Sequence, residues 1–334
     1  MRVLYVGGTG EISFACVHES VRLGHEVTVF NRGNHNAGLP PSCRLVKGDV
    51  DDDKAYGSLA RQDFDVVCQF RLFTTRSMER DLAMFRGHCG QYLFISSASA
   101  YQKPVRDLPI TEATPLGNRF WPYSQAKADM EALLRGQSDL DYTIVRPSHT
   151  YRTRMPTPMG GNLEVSRLLR RKPVVVHGDG ESLWTVTHAE DFARPFARLL
   201  GNPRAIGEAF HITADRQWTW NEIFAAIAAA LEMEGSALVH VASETLIRYH
   251  PEWEGPLLGD KAYSVIFDNA KIKAVAGDFR CPIDPWRGMR MVAERFPPDD
   301  RCDAGMDQLL DRIVEDERSG GARLGSGFRH GSSP

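Results

Sequence analysis

The chain has 334 residues, of which 42% are hydrophobic and 25% are charged. This composition is typical of globular proteins and excludes a disordered or fibrous chain, and the length favours one large α/β unit or a domain with an appended lobe. The net charge of −3 gives no electrostatic reason to expect nucleic acid or an anionic membrane as a partner.

From residue 2 to about residue 150, short apolar runs alternate with stretches of helical length. The predicted strands are Val3–Val6, Glu26–Phe30, Arg44–Lys47, Asp65–Gln69, Tyr92–Ser96 and Tyr142–Arg146. A first helix is predicted from about Glu11 to Leu23, with Gly24 as its C-terminal cap. Strands that are apolar throughout are typical of a parallel sheet covered on both faces. The pattern therefore predicts an α/β fold with a Rossmann-type, doubly wound parallel sheet over residues 1–150.

The remainder of the chain predicts a smaller C-terminal lobe. Thr153–Asn162 is rich in proline, glycine and polar residues, which favours a substrate-facing loop. Residues 151–318 are expected to form mainly a substrate-binding lobe, some of whose segments return to the first domain. A capping box at Thr219 marks the start of one of its helices. Residues 319–334, rich in glycine and serine, predict a flexible tail.

The sequence predicts no membrane span and no metal site. The longest plainly apolar run, Ile223–Leu231, has nine residues, whereas a membrane span needs about twenty. The chain enters a strand pattern at its first residues, so we expect a cytoplasmic location and no membrane. The six cysteines lack CxxC or zinc-like spacing, which predicts reduced thiols and no metal site.

A glycine-rich turn follows the first strand and opens the first helix. Its sequence is Gly7-Gly8-Thr9-Gly10, and glycines there let backbone N–H groups approach a pyrophosphate beside the positive end of a helix. Ser13 stands where the pattern usually has its last glycine. The alternative is an ordinary strand-to-helix turn. The residues predicted to contact a dinucleotide here are Gly7, Thr9, Gly10, Glu11 and Ile12.

The ends of the second and third strands bear on the type of cofactor. An acidic residue after the second strand would accept from a free ribose 2′-hydroxyl, but this chain has Asn31-Arg32. Arginine can pair with a 2′-phosphate, which favours NADP over NAD, although it can also stack on adenine or remain a solvated loop charge. Asp49 and Val50 are predicted to contact the adenine edge. For Asp49 the alternative is a helix N-cap for residues 52–60.

Tyr123 and Lys127 share one face of a predicted helix because they are four residues apart. A nearby ammonium lowers the pKa of a phenol, which makes tyrosine a usable general acid/base. Ser97 lies at the C-terminal end of the fifth predicted strand, the edge at which open parallel sheets bind ligands. The alternative is a packed tyrosine beside a solvated lysine.

The order of these signals resembles the extended short-chain dehydrogenase/reductases, also called the NAD-dependent epimerase/dehydratase family. The resemblance covers roughly residues 1 to 230. Besides the glycine turn and the residues named above, it rests on Ile95–Tyr101, Ile110–Glu112, Arg146–Ser148 and His188–Phe192.

The resemblance implies roles for these residues. Tyr123 would transfer a proton to or from a substrate hydroxyl while Ser97 hydrogen-bonds the same oxygen. Lys127 would bind the nicotinamide ribose and depress the pKa of Tyr123. Pro147 would line the nicotinamide, and relatives are commonly homodimers. Phe70 would also line the cofactor, although it departs from the small residues that relatives have there. Tyr123 and Lys127 are therefore predicted to be both catalytic and cofactor-binding.

Departures from the family pattern narrow the reaction. Ala98-Ser99 replaces the Asp-Glu pair of sugar 4,6-dehydratases, which disfavours elimination of water and makes Ser99 a substrate contact. Trp184 stands where nucleotide-sugar relatives have an arginine, so it would stack on a base or sugar, or belong to the lobe core. His149 is either a second acid/base or a structural histidine. Arg152 would supply charge to the substrate, or remain an exposed loop cation.

These observations predict an NAD(P)-dependent oxidoreductase or redox epimerase. It would act on a hydroxyl or ketone group of a sugar-like substrate, which is either free or linked to a nucleotide. The alternative is a non-enzymatic nucleotide-sensing or RNA-binding protein of the same superfamily. A cluster of basic residues is the feature of the sequence that could bind RNA. That cluster comprises Arg167, Arg170, Arg171 and Lys172.

Overall fold

A seven-stranded parallel sheet forms the centre of the computed structural model, which describes residues 1–159, 162–296, 298 and 301–320. The strands are β1 Arg2–Val6, β2 Glu26–Asn31, β3 Arg44–Lys47, β4 Phe64–Gln69, β5 Cys89–Ile95, β6 Tyr142–Pro147, β7 His149–Tyr151, β8 Val174–His177, β9 Leu183–Trp184, β10 Val186–His188, β11 Ala209–Ile212, β12 Trp218–Thr219 and β13 Leu238–Val241. The order in the central sheet is β11-β6-β5-β4-β1-β2-β3. The chain reverses its direction of travel across the sheet between β1 and β4, which is where such folds bind ligands.

Helices cover both faces of this sheet, and further helices lie in the C-terminal part of the chain. In chain order the helices are α1 Ser13–Arg22, α2 Asp53–Gly57, α3 Thr75–Phe85, α4 Pro122–Arg135, α5 Leu163–Leu169, α6 Ala189–Ala197, α7 Trp220–Ala230, α8 Ser243–Tyr249, α9 Glu254–Pro256, α10 Ala270–Ala276, α11 Pro285–Arg295 and α12 Ala304–Arg318. One core cluster joins the sheet to α1, α6 and α10, and another joins it to α2, α3 and α4. The strands are therefore apolar throughout, and Val3–Val6 has no exposed surface.

All six predicted strands are present, and the doubly wound fold is confirmed. The first helix begins at Ser13, later than predicted, because Glu11 remains in the preceding turn. Gly24 has a φ of +81° and ends that helix as expected. Strand β11 returns to the central sheet beside β6.

The C-terminal lobe is built from small sheets and helices. Strands β7 and β10 pair in parallel, as do β8 and β13, whereas β9 and β12 are antiparallel. Helix α7 begins at the predicted capping box, where Thr219 and Glu222 bond reciprocally. Its apolar face packs in a core with Trp184 and Trp218.

The predictions about membranes, metals and thiols can be compared with the described part of the chain. Within those residues no helix has the length and apolar character needed to cross a membrane, and no three His, Cys, Asp or Glu side chains are grouped to hold a metal ion. All six cysteines are unpaired. Apart from its first two residues, the predicted flexible tail 319–334 lies outside the described residues.

A cluster of ionic contacts fixes α12 to the lobe. The Asp307 carboxylate is 2.6 Å from the buried Arg167 guanidinium, 2.7 Å from Arg170 and 2.8 Å from the Lys172 ammonium. Asp311 pairs with Arg167 and Lys172 at 2.9 and 2.7 Å. Burial opposes ionisation of Asp307, but hydrogen bonds from the three cations hold its pKa well below the ordinary value of 3.8.

Replacing Asp307 by Asn should lower the free energy of unfolding by about 3 kcal/mol, because it leaves a buried guanidinium short of a partner. The matched variant Asp311→Asn should cost about 1 kcal/mol or less, since that side chain is half exposed. Urea unfolding measures both. Because the Asp307 pKa is depressed, the loss should be full above pH 3.8 and shrink as the pH falls below it. Equal losses for the two variants would contradict the larger role assigned to Asp307.

Candidate active site

The glycine-rich turn is closed by the serine that replaces the last glycine of the pattern. The Ser13 hydroxyl donates to the Gly7 carbonyl at 2.6 Å and accepts from the Gly10 N–H at 2.9 Å. Gly7 has a φ of +88°, and a Cβ at Gly8 would lie 2.8 Å from the side chain of Val29. The turn therefore requires glycine at these two positions, and Ser13 holds it in shape.

A cavity of about 470 Å³ lies over this turn, at the carboxyl ends of the central strands, and we call it the cofactor cavity. Every residue predicted to bind the cofactor lines it. They are Gly7, Thr9, Gly10, Glu11, Ile12, Asn31, Arg32, Asp49, Val50, Phe70, Tyr123, Lys127 and Pro147. Sequence reasoning missed Gly33, Asn34 and His35, which follow β2, and Arg71, which follows Phe70.

The cofactor cavity has a basic residue where NAD-specific sites have an acidic one. Arg32 is exposed and lines the cavity. The Asn31 side chain accepts from the Gly33 N–H at 2.7 Å and so shapes the loop that carries Arg32. The alternative role of Asp49 as a helix cap is wrong, because Asp52 caps α2 by accepting from two backbone N–H groups.

Glu11 connects the glycine-rich turn to the loop that follows β7. Its carboxylate accepts the backbone N–H groups of Arg152 and Thr153, each at 2.8 Å, and also bonds the Thr153 hydroxyl. The side chain of Glu11 is thus occupied by the protein itself. Because Glu11 also lines the cofactor cavity, it links the wall of that cavity to the C-terminal lobe.

Helix α4 is docked to the sheet through two buried charged residues. The Lys127 ammonium donates to the carbonyls of Leu72 and Ile95 at 2.8 and 2.9 Å. Burial lowers the pKa of Lys127 to about 7. One turn further along the helix, Glu131 accepts from the Arg146 guanidinium on β6 at 2.9 and 2.5 Å.

This docking places Tyr123 beside Ser97 at the end of β5. Burial raises the pKa of Tyr123, a hydrogen bond with Ser97 lowers it, and the charge of Asp260 raises it, with a net upward shift. The expected lowering by Lys127 is therefore wrong for this structure. The reason is that the ammonium points to two backbone carbonyls, 5.8 Å from the centroid of the Tyr123 ring.

Serine hydroxyls extend the hydrogen bonding around Tyr123. Ser97 and Ser99 are 2.8 Å apart, and Ser124 donates to Ser99 at 2.6 Å. Ser99 is buried, and Ser97 also accepts the Ser99 N–H at 3.2 Å. These bonds hold the Ser97 hydroxyl in position beside the Tyr123 hydroxyl.

A second, smaller cavity of about 180 Å³ adjoins the first, and we call it the substrate cavity. Ser97, Tyr123, Pro147 and Ser148 line both cavities. The predicted substrate residues Ser99, His149 and Trp184 line the substrate cavity. The candidate acid/base pair therefore lies at the boundary of the two cavities.

His149 and Trp184 form one packed unit. Trp184 is buried, stacks on Trp220 with centroids 5.3 Å apart, and donates its indole N–H to Nδ1 of His149 at 3.1 Å. Burial and the Lys261 charge lower the pKa of His149 to about 3. A neutral, accepting imidazole agrees with the structural alternative for His149. Trp184 both belongs to the lobe core and forms part of the cavity wall.

Arg152 is not brought to the substrate cavity. Its guanidinium lies over the rings of Phe14 and Phe296, 4.1 and 5.2 Å from their centroids. The contact of its backbone with Glu11 turns the chain in that direction. Three charged residues that the sequence did not indicate line the substrate cavity instead: Lys103, Asp260 and Lys261. Lys103 is far in sequence from the adjacent pair Asp260 and Lys261, so no local motif signals that the three meet.

Comparisons with known proteins agree with this geometry. The model of the NAD dependent epimerase/dehydratase family matches residues 3–213. The chain is 27% identical to the 2'-dehydrokanamycin reductase of Streptomyces kanamyceticus over 243 residues, which is 69% of this chain and 67% of that protein. It is also 27% identical to the chloroplast stem-loop binding protein of 41 kDa b of Arabidopsis thaliana over 253 residues, 72% of this chain and 65% of that protein.

The fold is also that of a solved structure. The UDP-glucose 4-epimerase from Bifidobacterium longum, in complex with NAD+ and UDP, superposes with a TM-score of 0.71 at 20% identity, covering 89% of this chain and 99% of that one. The match to the two curated relatives spans about two thirds of their length. Because the family model covers most of the chain, from the first strand of the sheet to the residue after its last, this protein belongs to the NAD dependent epimerase/dehydratase family.

Proposed function

We propose that this chain reduces or oxidises a carbon of a sugar-like substrate with NADP(H), either as a net reaction or within an epimerisation through a transient ketone. One observation carries the proposal. The hydroxyl-bearing pair Ser97 and Tyr123 lies between a dinucleotide-sized cavity and a smaller one, and lines both.

The residues of the cofactor cavity fit a dinucleotide. Its wall contains the glycine-rich turn between β1 and α1. It also contains the basic side chains of Arg32, Arg71 and Lys127. Of the two carboxylates in that wall, Glu11 is bonded to backbone N–H groups and Asp49 accepts from the Asp51 N–H. When bound, the nicotinamide supplies or accepts the hydride.

The protein's own residues move and hold the proton. In reduction the Tyr123 hydroxyl gives its proton to the substrate oxygen, and in oxidation the phenolate takes it back. Ser97 hydrogen-bonds the same oxygen. Burial keeps the phenol of Tyr123 protonated near neutrality, the state that reduction requires. Together with Arg32 as a partner for a 2′-phosphate, this favours net reduction with NADPH.

Elimination of water is less well supported by the substrate cavity. Ala98 and Ser99 stand where dehydratases carry an acidic pair. Among the described residues, the carboxylate in the cavity wall is that of Asp260, which lies between two lysines. That arrangement suits charge pairing better than donation of a proton to a leaving hydroxyl.

One relative is named as a stem-loop binding protein, and the feature of this chain that could suit RNA is the predicted basic cluster. The predicted basic cluster is largely neutralised, since Arg167, Arg170 and Lys172 pair with acidic residues of α12. The net charge of −3 points the same way.

Replacing Tyr123 by Phe should lower kcat by about 10²- to 10⁴-fold, the usual contribution of a positioned acid/base, and leave NADPH affinity nearly unchanged. Oxidation of NADPH with a panel of keto sugars, alongside fluorescence titration of NADPH, measures both quantities. Tyr142→Phe, at the start of β6 and outside both cavities, is the control. Full activity of the Tyr123 variant would remove the proposed role, and salt-sensitive RNA retention that survives it would favour the alternative function.

Replacing Arg32 by Ala should weaken NADPH binding about tenfold or more and change NADH binding little, because a charge-assisted contact to the 2′-phosphate is lost. Arg44→Ala, on the neighbouring β3, controls for the removal of a nearby positive charge. Dissociation constants for both cofactors decide the matter. Equal binding of NADPH and NADH by the unaltered protein would contradict the NADP preference.

A further inference from the structure

Three charged side chains in the substrate cavity take no part in the proton transfer described above. Lys103 follows the turn after β5, and Asp260 and Lys261 end the helical turn Leu257–Lys261. Their side chains are 1%, 14% and 11% exposed. Buried lysines are costly unless they are paired, so their position in a cavity wall needs a reason.

The two ammonium groups are incompletely paired. Lys103 lies 3.5 Å from one oxygen of Asp260, and Lys261 lies 3.4 Å from the other. Charge-assisted hydrogen bonds between such groups are typically about 2.7–2.9 Å long. Each ammonium has three donors. Within the described part of the chain, no other oxygen accepts a hydrogen bond from either group.

Neighbouring groups do not supply the missing negative charge. His149 is neutral, because burial and Lys261 lower its pKa to about 3. Glu164 lies outside the cavity wall, and burial raises its pKa to about 7, so it is only partly ionised near neutrality. The cavity wall therefore holds two lysines and one carboxylate, an excess of one positive charge when both lysines are protonated. Burial lowers the pKa of Lys103, and the charge of Asp260 opposes that shift.

Aromatic rings hold Lys261 in position. Its ammonium lies 5.4 Å from the centroid of a Trp121 ring and 5.8 Å from that of Trp184. Both indoles also line the substrate cavity. Faces of this kind attract a cation and suit the apolar face of a sugar ring. The cavity thus offers a flat apolar surface together with two poorly satisfied cations.

We propose that the substrate is a sugar carrying its own anionic group, a carboxylate or a phosphate, which Lys103 and Lys261 bind. This rests on the proposed function, because it takes the substrate to be a sugar. The anion belongs on the sugar because the lysines share one cavity of about 180 Å³ with Tyr123 and Ser97. That volume is below the 300–1,000 Å³ or so of sites for larger ligands.

The test is a titration followed by tryptophan fluorescence, since Trp121 and Trp184 line the cavity. The probes are D-glucuronate, glucose 6-phosphate, neutral D-glucose and UDP, each added with and without saturating NADPH. We expect at least one anionic sugar to bind about tenfold or more tightly than glucose, the difference made by a hydrogen bond to a charged group. Comparison of the two anionic sugars distinguishes carboxylate from phosphate.

Variants assign the effect to the lysines. Lys103→Met and Lys261→Met should each abolish most of the preference for the anionic sugar while NADPH binding persists. Lys103→Arg should retain part of the preference. Lys271→Met, which removes a partly exposed ammonium paired with Glu208, should change nothing. NADPH binding and far-UV circular dichroism confirm that each variant is folded, and Lys261→Met serves if the Lys103 variant is not.

The outcomes separate the two proposals. Equal binding of glucose and both anionic sugars, or a preference that survives both Met variants, would overturn the inference even if NADPH binds as proposed. Binding of UDP alone, lost in the same variants, would place the anion on a nucleotide and overturn it too. A failure to bind either NADPH or NADH would instead count against the proposed function, while the titrations without cofactor still test the cavity.

Discussion

The burial of one ammonium group organises the candidate site. Lys127 cannot lie inside the protein without acceptors for its charge, and the carbonyls that it finds belong to Leu72 after β4 and to Ile95 at the end of β5. Helix α4 must therefore dock at the carboxyl edge of the sheet. The buried pair of Glu131 and Arg146 fixes the same helix against β6. Because Tyr123 lies one turn before Lys127, its hydroxyl is carried to the boundary of the two cavities.

Those cavities are joined by contacts that do not belong to the motif itself. Glu11 leaves the glycine-rich turn and binds the backbone at residues 152 and 153, so the wall of the cofactor cavity is continuous with the lobe. On the other side, the serine hydroxyls around Ser97 fix the donor that meets Tyr123. The wall of the substrate cavity has two lysines and one carboxylate, so its positive charges are not fully balanced.

The residues that the sequence assigns to a cofactor lie together because their positions are set by local structure. A strand, a turn and a helix fix the residues after β1, β2 and β3, and every predicted contact lines the cavity. The substrate side depends on tertiary contacts. The position of Arg152 soon after the sixth predicted strand suggests a charge for the substrate or an exposed loop cation, yet the Glu11 contact directs it to Phe14 instead. Lys103 and Asp260 meet only in the folded chain and leave no pattern. The expected fall in the pKa of Tyr123 requires the Lys127 ammonium to face its hydroxyl, whereas that ammonium donates to backbone carbonyls.

In the proposed reaction, Tyr123 exchanges a proton with a substrate oxygen next to a nicotinamide bound over the end of β5. A crystal structure with NADPH tests this arrangement most directly. We expect the pyrophosphate on the turn at residues 7–12, the nicotinamide beside Pro147 and Tyr123, and a ribose hydroxyl within hydrogen-bonding distance of the Lys127 ammonium. A dinucleotide bound elsewhere, or a nicotinamide ring beyond the reach of any molecule that contacts the Tyr123 hydroxyl, would contradict it.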